Sequence, residues 1–283
     1  MTGRADSLQD ILLLGCGKMG TAMLSGWLAD VSVNNRRFTI IDPQFAGAEA
    51  ATTHPLAASE GVRFLADADE LATDYAPLLV ILAVKPQMMQ QALAPLAGRF
   101  GGETVWLSIA AGLSISWFQA ELGQAARVIR SMPNTPAAIG RGITALYPSP
   151  GVPEEMMLVA ERMMQAVGAV VRLQDEAQID AVTAISGSGP AYVFLLREVL
   201  AEAAGDLGLE PVLASALAEA TLTGAAALLE ASEEDAATLR RNVTSPGGTT
   251  QAALQVLMDD DGLAALLRRA TRAARDRAVE LGS

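Results

Sequence analysis

The residues best suited to bind a ligand lie in a glycine-rich loop near the start of the chain. Gly15-x-Gly17-x-x-Gly20 follows the apolar run 11–14 and opens a helical pattern. In that context the first glycine permits a tight turn, the second lets the backbone approach a pyrophosphate, and the third allows close helix–strand packing. The free N–H groups at the helix N-terminus favour phosphates. The loop predicts a dinucleotide site, and the alternative is a glycine-rich turn without a ligand.

An acid ends the second apolar run and bears on which dinucleotide binds. A carboxylate at this place accepts a hydrogen bond from a ribose 2′-hydroxyl and repels a 2′-phosphate. Asp42 occupies it and is followed by Pro43. Arg36 and Arg37 precede the run and would have to fold back to reach a phosphate. The residues therefore favour NADH, and the alternative is that Asp42 only caps the turn after the strand.

Both lysines of the chain end predicted strands. Lys18 lies in the glycine loop, and Lys85 belongs to the segment Ala83-Val84-Lys85-Pro86, in which the proline forces a turn. Only these two of the 20 basic residues are lysines. We expect the segment to contact the cofactor, and the alternative for Lys85 is a solvated surface charge.

The segments 108–112 and 132–136 end the next two apolar runs in the same way. Small residues at Ala110, Ala111 and Gly112 leave room for a flat ring close to the backbone. Asn134 either hydrogen-bonds a cofactor or caps the turn between two prolines.

Two motifs in the second half of the chain combine glycines, hydroxyls and a predicted helix start. They are Ser186-Gly-Ser-Gly-Pro190 and Ser245-Pro-Gly-Gly-Thr-Thr250. Such a combination can hold a small carboxylate without an arginine. One of them alone could be a plain N-cap with a glycine turn. Two of them, in a chain with a dinucleotide site, predict a substrate pocket.

The scarcity of histidine and cysteine excludes much chemistry. The chain has one histidine, His54, and one cysteine, Cys16. A Ser-His-Asp triad, a histidine-rich zinc site and a Cys-His dyad each need partners that this chain lacks, and we expect His54 to be a loop residue. We therefore expect no metal and a reaction that borrows its reactivity from a cofactor. A single cysteine allows no disulfide framework and suits the reducing cytoplasm.

Composition narrows the class of protein further. Of 283 residues, 51% are apolar and 18% charged, which excludes disorder and indicates buried helices. The net charge of −12 offers no positive field for nucleic acid. The polar first ten residues, with two acids, predict no signal peptide. The longest uncharged stretch, 104–120, is shorter than the ~20 residues of a spanning helix, so we expect a soluble protein without membrane association.

Short apolar runs alternate with helical stretches in the first half of the chain. Such runs are typical of parallel strands buried on both faces, and the alternation predicts a doubly wound sheet. The five runs are 11–14, 38–41, 78–84, 104–109 and 127–130, and 143–147 and 170–173 are further candidates.

After about residue 174 only alanine-rich helical patterns occur. The helix predicted over 211–230 carries small residues on several faces, which favours a place inside a bundle or a dimer interface. Ser232-Glu233, Thr249-Thr250 and Asp261-Gly262 are further helix-start signals. We expect two domains, a Rossmann-type dinucleotide-binding domain over 1–174 and an all-helical domain over 175–283.

Together these motifs resemble the pyrroline-5-carboxylate reductase family along nearly the whole chain. The resemblance implies an N-terminal Rossmann-type domain and a C-terminal helical domain that interlocks with its partner in a homodimer, with larger homo-oligomers in some members. It also implies hydride transfer from NAD(P)H to the C=N carbon of 1-pyrroline-5-carboxylate, giving L-proline in the last step of proline biosynthesis. The matching segments are 15–20, 83–86, 108–112, 128–136, 186–192 and 242–250, of which 245–250 is the specific signature.

The resemblance also implies roles for single residues. Thr250 would hydrogen-bond the ring nitrogen, and the backbone amides around Gly248, Thr249 and Thr250 would hold the carboxylate. Glu176 and Glu233 match acidic positions near the substrate. Positions that match cofactor contacts are Lys18, Met19, Val84, Lys85 and Ala111. Asn242 matches a position close to the site, and we group Asn242 with the cofactor-binding residues.

One residue departs from the family pattern. Many members prefer NADPH and carry Ser or another small polar residue where this chain has Asp42. We therefore expect NADH to work at least comparably to NADPH.

Two other functions compete with this prediction. A hydroxyacid or cofactor reductase of the Rossmann superfamily would present a helix-borne Lys or His as proton donor, and 175–283 has neither. A non-catalytic dinucleotide-sensing protein would have no reason to keep both glycine–serine motifs.

Overall fold

The computed structural model describes residues 9–33, 36–47, 52 and 54–282. They form two compact units. The first holds the described residues up to Gly187 together with those from Arg275 onward, and the second is Ser188–Ala274. The domain boundary at 174 stays a prediction.

The first unit contains one eight-stranded sheet. Its order is β3-β2-β1-β4-β5-β6-β7-β8, and all neighbours are parallel except β6 and β7. The first six strands have the doubly wound order 3-2-1-4-5-6, which confirms the predicted fold class. The strands are β1 (Gln9–Leu14), β2 (Arg36–Ile41), β3 (Val62–Leu65), β4 (Leu79–Leu82), β5 (Val105–Ser108), β6 (Arg127–Met132), β7 (Gly142–Pro148) and β8 (Gly168–Arg172).

One strand was not expected from the sequence. The seven apolar runs all form strands, but β3 was missed. It has four residues, including the exposed Arg63, and pairs only with β2. So short a strand at a sheet edge gives almost no apolar pattern, and its pairing with the open edge of β2 decides its structure.

Helices cover both faces of the sheet and bury two apolar cores. On one face Trp27 stacks on Phe38, with ring centroids 5.5 Å apart, and its indole N–H donates to the carbonyl of Met163 at 2.7 Å. On the other face Phe118 packs among the side chains of β1 and β4. These helices are α1 (Lys18–Ala29), α2 (Met89–Leu93), α3 (Ile115–Leu122), α4 (Glu154–Gln165) and α5 (Gln178–Val182).

The second unit is helical, and the described residues after 174 contain no strand, as predicted. Pro190 and Pro211 lie in the first turns of two helices. The start signal at 232–233 was wrong by three residues, because the Asp235 carboxylate accepts the Thr238 N–H at 2.6 Å and α8 begins after it. The helices are α6 (Gly189–Asp206), α7 (Pro211–Ala231), α8 (Ala236–Asn242), α9 (Thr249–Leu257) and α10 (Leu263–Leu281), whose last residues belong to the first unit.

Helices α6 and α7 leave a large apolar surface uncovered in the single chain. Arg197 of α6 donates to Ser215 and Glu219 of α7, which joins the two helices. Yet Phe194 is 63% exposed, and Ala214 and Ala218 are the buried residues of α7. By length and composition alone, 178–206 and 211–231 could each cross a membrane, and 11% of each window is buried.

Candidate active site

The carboxyl ends of adjacent strands bring the candidate cofactor residues together. The Gly15 N–H donates to the carbonyl of Ile41 at 2.8 Å, and the Ala83 N–H donates to the carbonyl of Leu14 at 2.8 Å. The glycine loop therefore lies between Asp42 and the 83–86 segment, and the segment after β5 continues the same edge. This is the edge at which open parallel sheets bind ligands.

Each glycine of the loop has a distinct structural reason. Gly15 has a φ of +93°, and a Cβ there would lie 2.8 Å from Cγ1 of Val84. A Cβ at Gly20 would lie 2.4 Å from the carbonyl oxygen of Gly15. A Cβ at Gly17 would meet nothing within 4 Å. Gly15 and Gly20 are thus required by the fold, whereas a Cβ at Gly17 would meet only open space.

The N-terminus of α1 suits an anion. The helix begins at Lys18, Gly17 supplies no capping side chain, and no acid lies in the first turn. The first N–H groups and the positive end of the helix dipole therefore remain available to a ligand. Met19 is half-buried beside the exposed Lys18.

Asp42 is tied to the glycine loop. Its Oδ2 accepts the Cys16 N–H at 2.7 Å, and its Oδ1 accepts the Gln44 N–H at 3.0 Å. The Gln44 side-chain amide closes the link by donating to the Cys16 carbonyl at 3.0 Å. Asp42 does cap the turn after β2, but each carboxylate oxygen keeps a lone pair for a ribose hydroxyl.

The chain's only cysteine and only histidine are neighbours, so the expectation that a Cys-His pair lacks its partner was wrong. The Cys16 Sγ lies 4.0 Å from Nε2 of His54. Burial raises the pKa of the Cys16 thiol and lowers the pKa of His54. Both shifts favour the neutral forms of the two side chains over a thiolate–imidazolium pair.

The 83–86 segment turns away from the sheet as predicted. Ala83 and Val84 are half-buried, and Pro86 begins a short turn directly after the exposed Lys85. Within the described part of the chain, neither Lys18 nor Lys85 has an ion-pair partner. Both ammonium groups are therefore open to a ligand.

The segment after β5 is held firmly. The Ser131 hydroxyl donates to the Ser108 carbonyl at 3.0 Å, and the Ala110 N–H donates to the Ser108 hydroxyl at 3.1 Å. Gly112 has a φ of +81°, and a Cβ there would lie 3.0 Å from the backbone of Leu281. Ala111 is half-buried in the middle of this segment.

Glu176 is half-buried and forms an ion pair with the buried Arg130 that the sequence did not reveal. Its Oε1 accepts the Ile115 N–H at 2.8 Å and Nη1 of Arg130 at 2.9 Å. The Arg130 side chain is 6% exposed. A charged residue inside an apolar strand was the one available signal, because buried charges are paired.

The Asn134 side chain makes no capping bond to the turn that follows it and instead links two other segments. Its Oδ1 accepts the Ile143 N–H at 2.9 Å, and its Nδ2 donates to the Ser186 carbonyl at 3.1 Å. The amide thereby joins the turn after β6 to the first glycine–serine motif. Residues 183–187 of that region form a π-helical turn.

The second motif forms a turn that ends at a helix N-terminus. The Gly248 N–H donates to the Ser245 carbonyl at 3.0 Å, and Gly247 has a φ of +73°. α9 begins at Thr249, and Gly248 offers no capping side chain. The half-buried Thr250 and the first N–H groups of α9 therefore lie at an uncapped helix start.

Glu233 and Asn242 lie near each other in sequence within the second unit. Glu233 is exposed, and the Asn242 side chain donates to Oε2 of Glu234 at 2.9 Å. Among the residues that the structure describes, no cluster of histidine, cysteine, aspartate and glutamate could hold a metal ion.

A doubly wound parallel sheet with this glycine loop defines a dinucleotide-binding protein of the Rossmann class. A family model described as pyrroline-5-carboxylate reductase dimerisation matches residues 176–281. The chain is 39% identical over 277 residues to the pyrroline-5-carboxylate reductase of Pseudomonas aeruginosa, a match that covers 96% of each chain. It is 37% identical over 295 aligned positions to that of Mycobacterium tuberculosis, again over 96% of each chain. The chain belongs to the pyrroline-5-carboxylate reductase family.

Solved structures agree with this assignment. A pyrroline-5-carboxylate reductase from Coxiella burnetii has a TM-score of 0.84 at 33% identity and covers 97% of this chain and 99% of its own. A Plasmodium falciparum pyrroline carboxylate reductase, solved with NADP bound, shares the fold with a TM-score of 0.78 at 24% identity, over 98% and 99% of the two chains.

Proposed function

We propose that this chain reduces the C=N bond of 1-pyrroline-5-carboxylate to L-proline, the last step of proline biosynthesis, with NADH or NADPH as reductant. The observation that carries the proposal is 39% identity to a relative of that name over 96% of both chains. The uncapped helix start at Thr249, directly after the signature turn, supports it independently.

The chemistry suits a chain that is poor in acid–base side chains. A cyclic imine is far more basic than a ketone, so the substrate arrives partly protonated as an electrophilic iminium. The reaction then needs no histidine or lysine as proton donor, and the chain has neither after Lys85. Orientation and hydrogen bonding are what the protein has to supply.

The substrate is held by the turn before α9 and by acids. The Thr250 hydroxyl hydrogen-bonds the ring nitrogen, and the N–H groups of Gly248, Thr249 and Thr250 hold the carboxylate. Glu176 and Glu233 lie near the substrate. Because Oε1 of Glu176 already accepts two hydrogen bonds, its Oε2 is the oxygen left for this role.

The cofactor is held by the carboxyl edge of the sheet. When bound, the reduced nicotinamide supplies the hydride that the imine carbon accepts. The loop glycines and the start of α1 bind the phosphates, and the open space at Gly17 supports this. The proposed cofactor residues are Gly15, Gly17, Lys18, Met19, Gly20, Asp42, Ala83, Val84, Lys85, Pro86, Ala111 and Asn242.

Asp42 makes NADH at least comparable to NADPH as reductant. Its carboxylate repels a 2′-phosphate and keeps lone pairs for a ribose hydroxyl. Its bonds to the N–H groups of Cys16 and Gln44 fix it beside the glycine loop, which supports this role.

A second copy of the chain covers the apolar surface of α6 and α7. The family model that matches 176–281 is described as a dimerisation region, and this surface lies within it. The exposed Phe194 and its apolar neighbours thus belong to a homodimer interface, on which larger homo-oligomers can build, and not to a membrane span. We place the enzyme in the cytoplasm, in keeping with its single, unpaired cysteine.

The test is turnover by the purified chain. We expect 1-pyrroline-5-carboxylate to be required for oxidation of the reduced cofactor, with L-proline as the product in a chiral separation. Faster turnover of a 2-keto acid would favour a hydroxyacid reductase. Cofactor binding without turnover of any imine would favour a sensing protein, and either result contradicts the proposal.

A further inference from the structure

Arg130 places a charge in the interior of the sheet. It lies on β6, between Ser108 of β5 and Tyr147 of β7, and its side chain is 6% exposed. Nη1 donates to Glu176, whereas Nη2 is buried and has no hydrogen-bond partner among the described residues. A buried guanidinium is unfavourable unless a well-placed partner compensates it, so the pair with Glu176 calls for a role beyond packing.

Glu176 links Arg130 to the start of α3. The same oxygen that accepts Arg130 also accepts the Ile115 N–H at 2.8 Å. Ile115 is the first residue of α3 and directly follows the segment 109–114. The ion pair therefore anchors one end of that segment.

Other contacts fix the rest of the segment. The Ile109 N–H donates to the carbonyl of Leu82 at 3.1 Å, which holds the segment beside the end of β4. Gly112 packs against the backbone of Leu281. Among these anchors, the bond to Glu176 is the one that involves a charged pair.

We propose that Arg130 and Glu176 are positioning residues that set the 109–114 segment against the nicotinamide ring. The inference rests on the cofactor site of the proposed function. Ala110 is buried in the core, so the half-buried Ala111 is the small residue that can face a ring. It admits a ring only if the backbone beneath it keeps its place, and a shared carboxylate oxygen fixes that place with directional bonds. Arg130 does not touch the cofactor and acts through Glu176 and the segment.

Binding of whole and truncated cofactor tests the proposal on the intact protein. In Arg130→Met we expect the Kd of the reduced dinucleotide to rise about tenfold, because the 109–114 segment loses the ion pair that anchors it and must be ordered when the cofactor binds. ADP-ribose lacks the nicotinamide and reaches only the glycine-loop side, so its Kd should stay unchanged. A general structural defect would move both values together.

Two further variants sharpen the result. Arg127→Met removes an arginine from the start of the same strand, where it is half-buried, and should leave both Kd values unchanged. Glu176→Gln keeps the shape of the side chain and one acceptor oxygen. It should therefore weaken dinucleotide binding less than Arg130→Met does and leave ADP-ribose binding unchanged. It replaces Arg130→Met in the test if that variant does not fold. The double variant Arg130→Met/Glu176→Gln should bind the reduced dinucleotide no more weakly than Arg130→Met alone, because the two side chains act as one unit.

Three outcomes decide the matter. Selective loss of dinucleotide binding supports the proposal. Equal loss of ADP-ribose binding overturns it. Unchanged dinucleotide binding in Glu176→Gln, together with a raised KM for the imine, also overturns the proposal, because this result would assign Glu176 to substrate binding alone. Failure of the wild-type chain to turn over 1-pyrroline-5-carboxylate would instead count against the proposed function, because the binding measurements need no imine.

Discussion

Asp42 has two duties in the structure, and a substitution can separate them. It holds the N–H of Cys16 in the structure, and the proposed function gives its charge the role of opposing a 2′-phosphate. We expect Asp42→Ser to raise the ratio of kcat/KM for NADPH over that for NADH by about tenfold or more, since repulsion of a close like charge is removed. Steady-state rates with both cofactors measure the ratio.

Asp42→Asn is the control, because it keeps an acceptor for Cys16 without the charge. It should also shift the ratio toward NADPH. If the kcat/KM ratio shifted in Asp42→Ser but not in Asp42→Asn, the effect would come from loss of the bond to the Cys16 N–H. That result would contradict the argument from charge.

Thr250 is expected to act in turnover and not in cofactor binding. Thr250→Ala should lower kcat by about ten- to a hundredfold, as expected when a hydrogen bond to a charged transition state is lost. The Kd for the reduced cofactor should stay the same, and Thr250→Ser should restore most of the rate. An unchanged rate in Thr250→Ala would remove this hydroxyl from the mechanism.

Sequence alone predicts residues that follow a local rule and misses those that depend on contacts across the fold. The glycine roles are local, because they follow from a strand–turn–helix context. The approach of Cys16 to His54 and the pairing of Arg130 with Glu176 join residues 38 and 46 positions apart. No spacing rule in the chain connects such residues.

Substitutions of Gly20 and Gly17 in the glycine loop are expected to have different effects, one on stability and the other on cofactor binding. Gly20→Ala places a Cβ 2.4 Å from a backbone oxygen and should destabilise the fold by about 1–3 kcal/mol, the usual cost of overpacking. Gly17→Ala meets open space at an ordinary φ of −70° and should leave the melting temperature unchanged. It should weaken cofactor binding, because the methyl group fills the space that the proposed function assigns to a phosphate.

Thermal unfolding and cofactor titration of both variants provide the measurement. If Gly17→Ala bound the cofactor like the wild type, the phosphates would have to lie elsewhere.

Elements with strong apolar runs were predictable, and weakly patterned ones were not. Each long run of the first half became a strand because both faces are buried. β3 has only four residues, and Arg63 interrupts its apolar residues, so it shows no such run and its structure depends on its neighbour β2. The start of α8 shifted because the Asp235 carboxylate, and not Ser232, reaches the first-turn amide.

The uncovered surface of α6 predicts the behaviour of the whole molecule. Phe194→Glu places a charge in the proposed homodimer interface, at a residue 63% exposed in the single chain, and should give monomers or unfolded material. Val31→Glu alters a residue 80% exposed in the other unit and should leave the mass unchanged. Light scattering with size-exclusion chromatography measures the mass, and a stable dimer of Phe194→Glu would place the interface elsewhere.

The uncovered apolar surface of α6 and α7 could be predicted only in part from the sequence. Small residues on several faces of 211–230 indicated a bundle or dimer helix. The apolar sequence of α6 is also typical of a buried core helix. The sequence alone therefore cannot distinguish a helix buried within the chain from one whose apolar face is uncovered in the single chain. Exposure in the folded chain separates the two.

A crystal structure with the reaction product decides where the substrate is recognised. Crystals of the full chain grown with L-proline should show its carboxylate on the N–H groups of Gly248, Thr249 and Thr250, with the ring nitrogen within hydrogen-bond distance of the Thr250 hydroxyl. L-proline bound with its carboxylate on other groups, and with the start of α9 empty, would contradict the proposed reductase site.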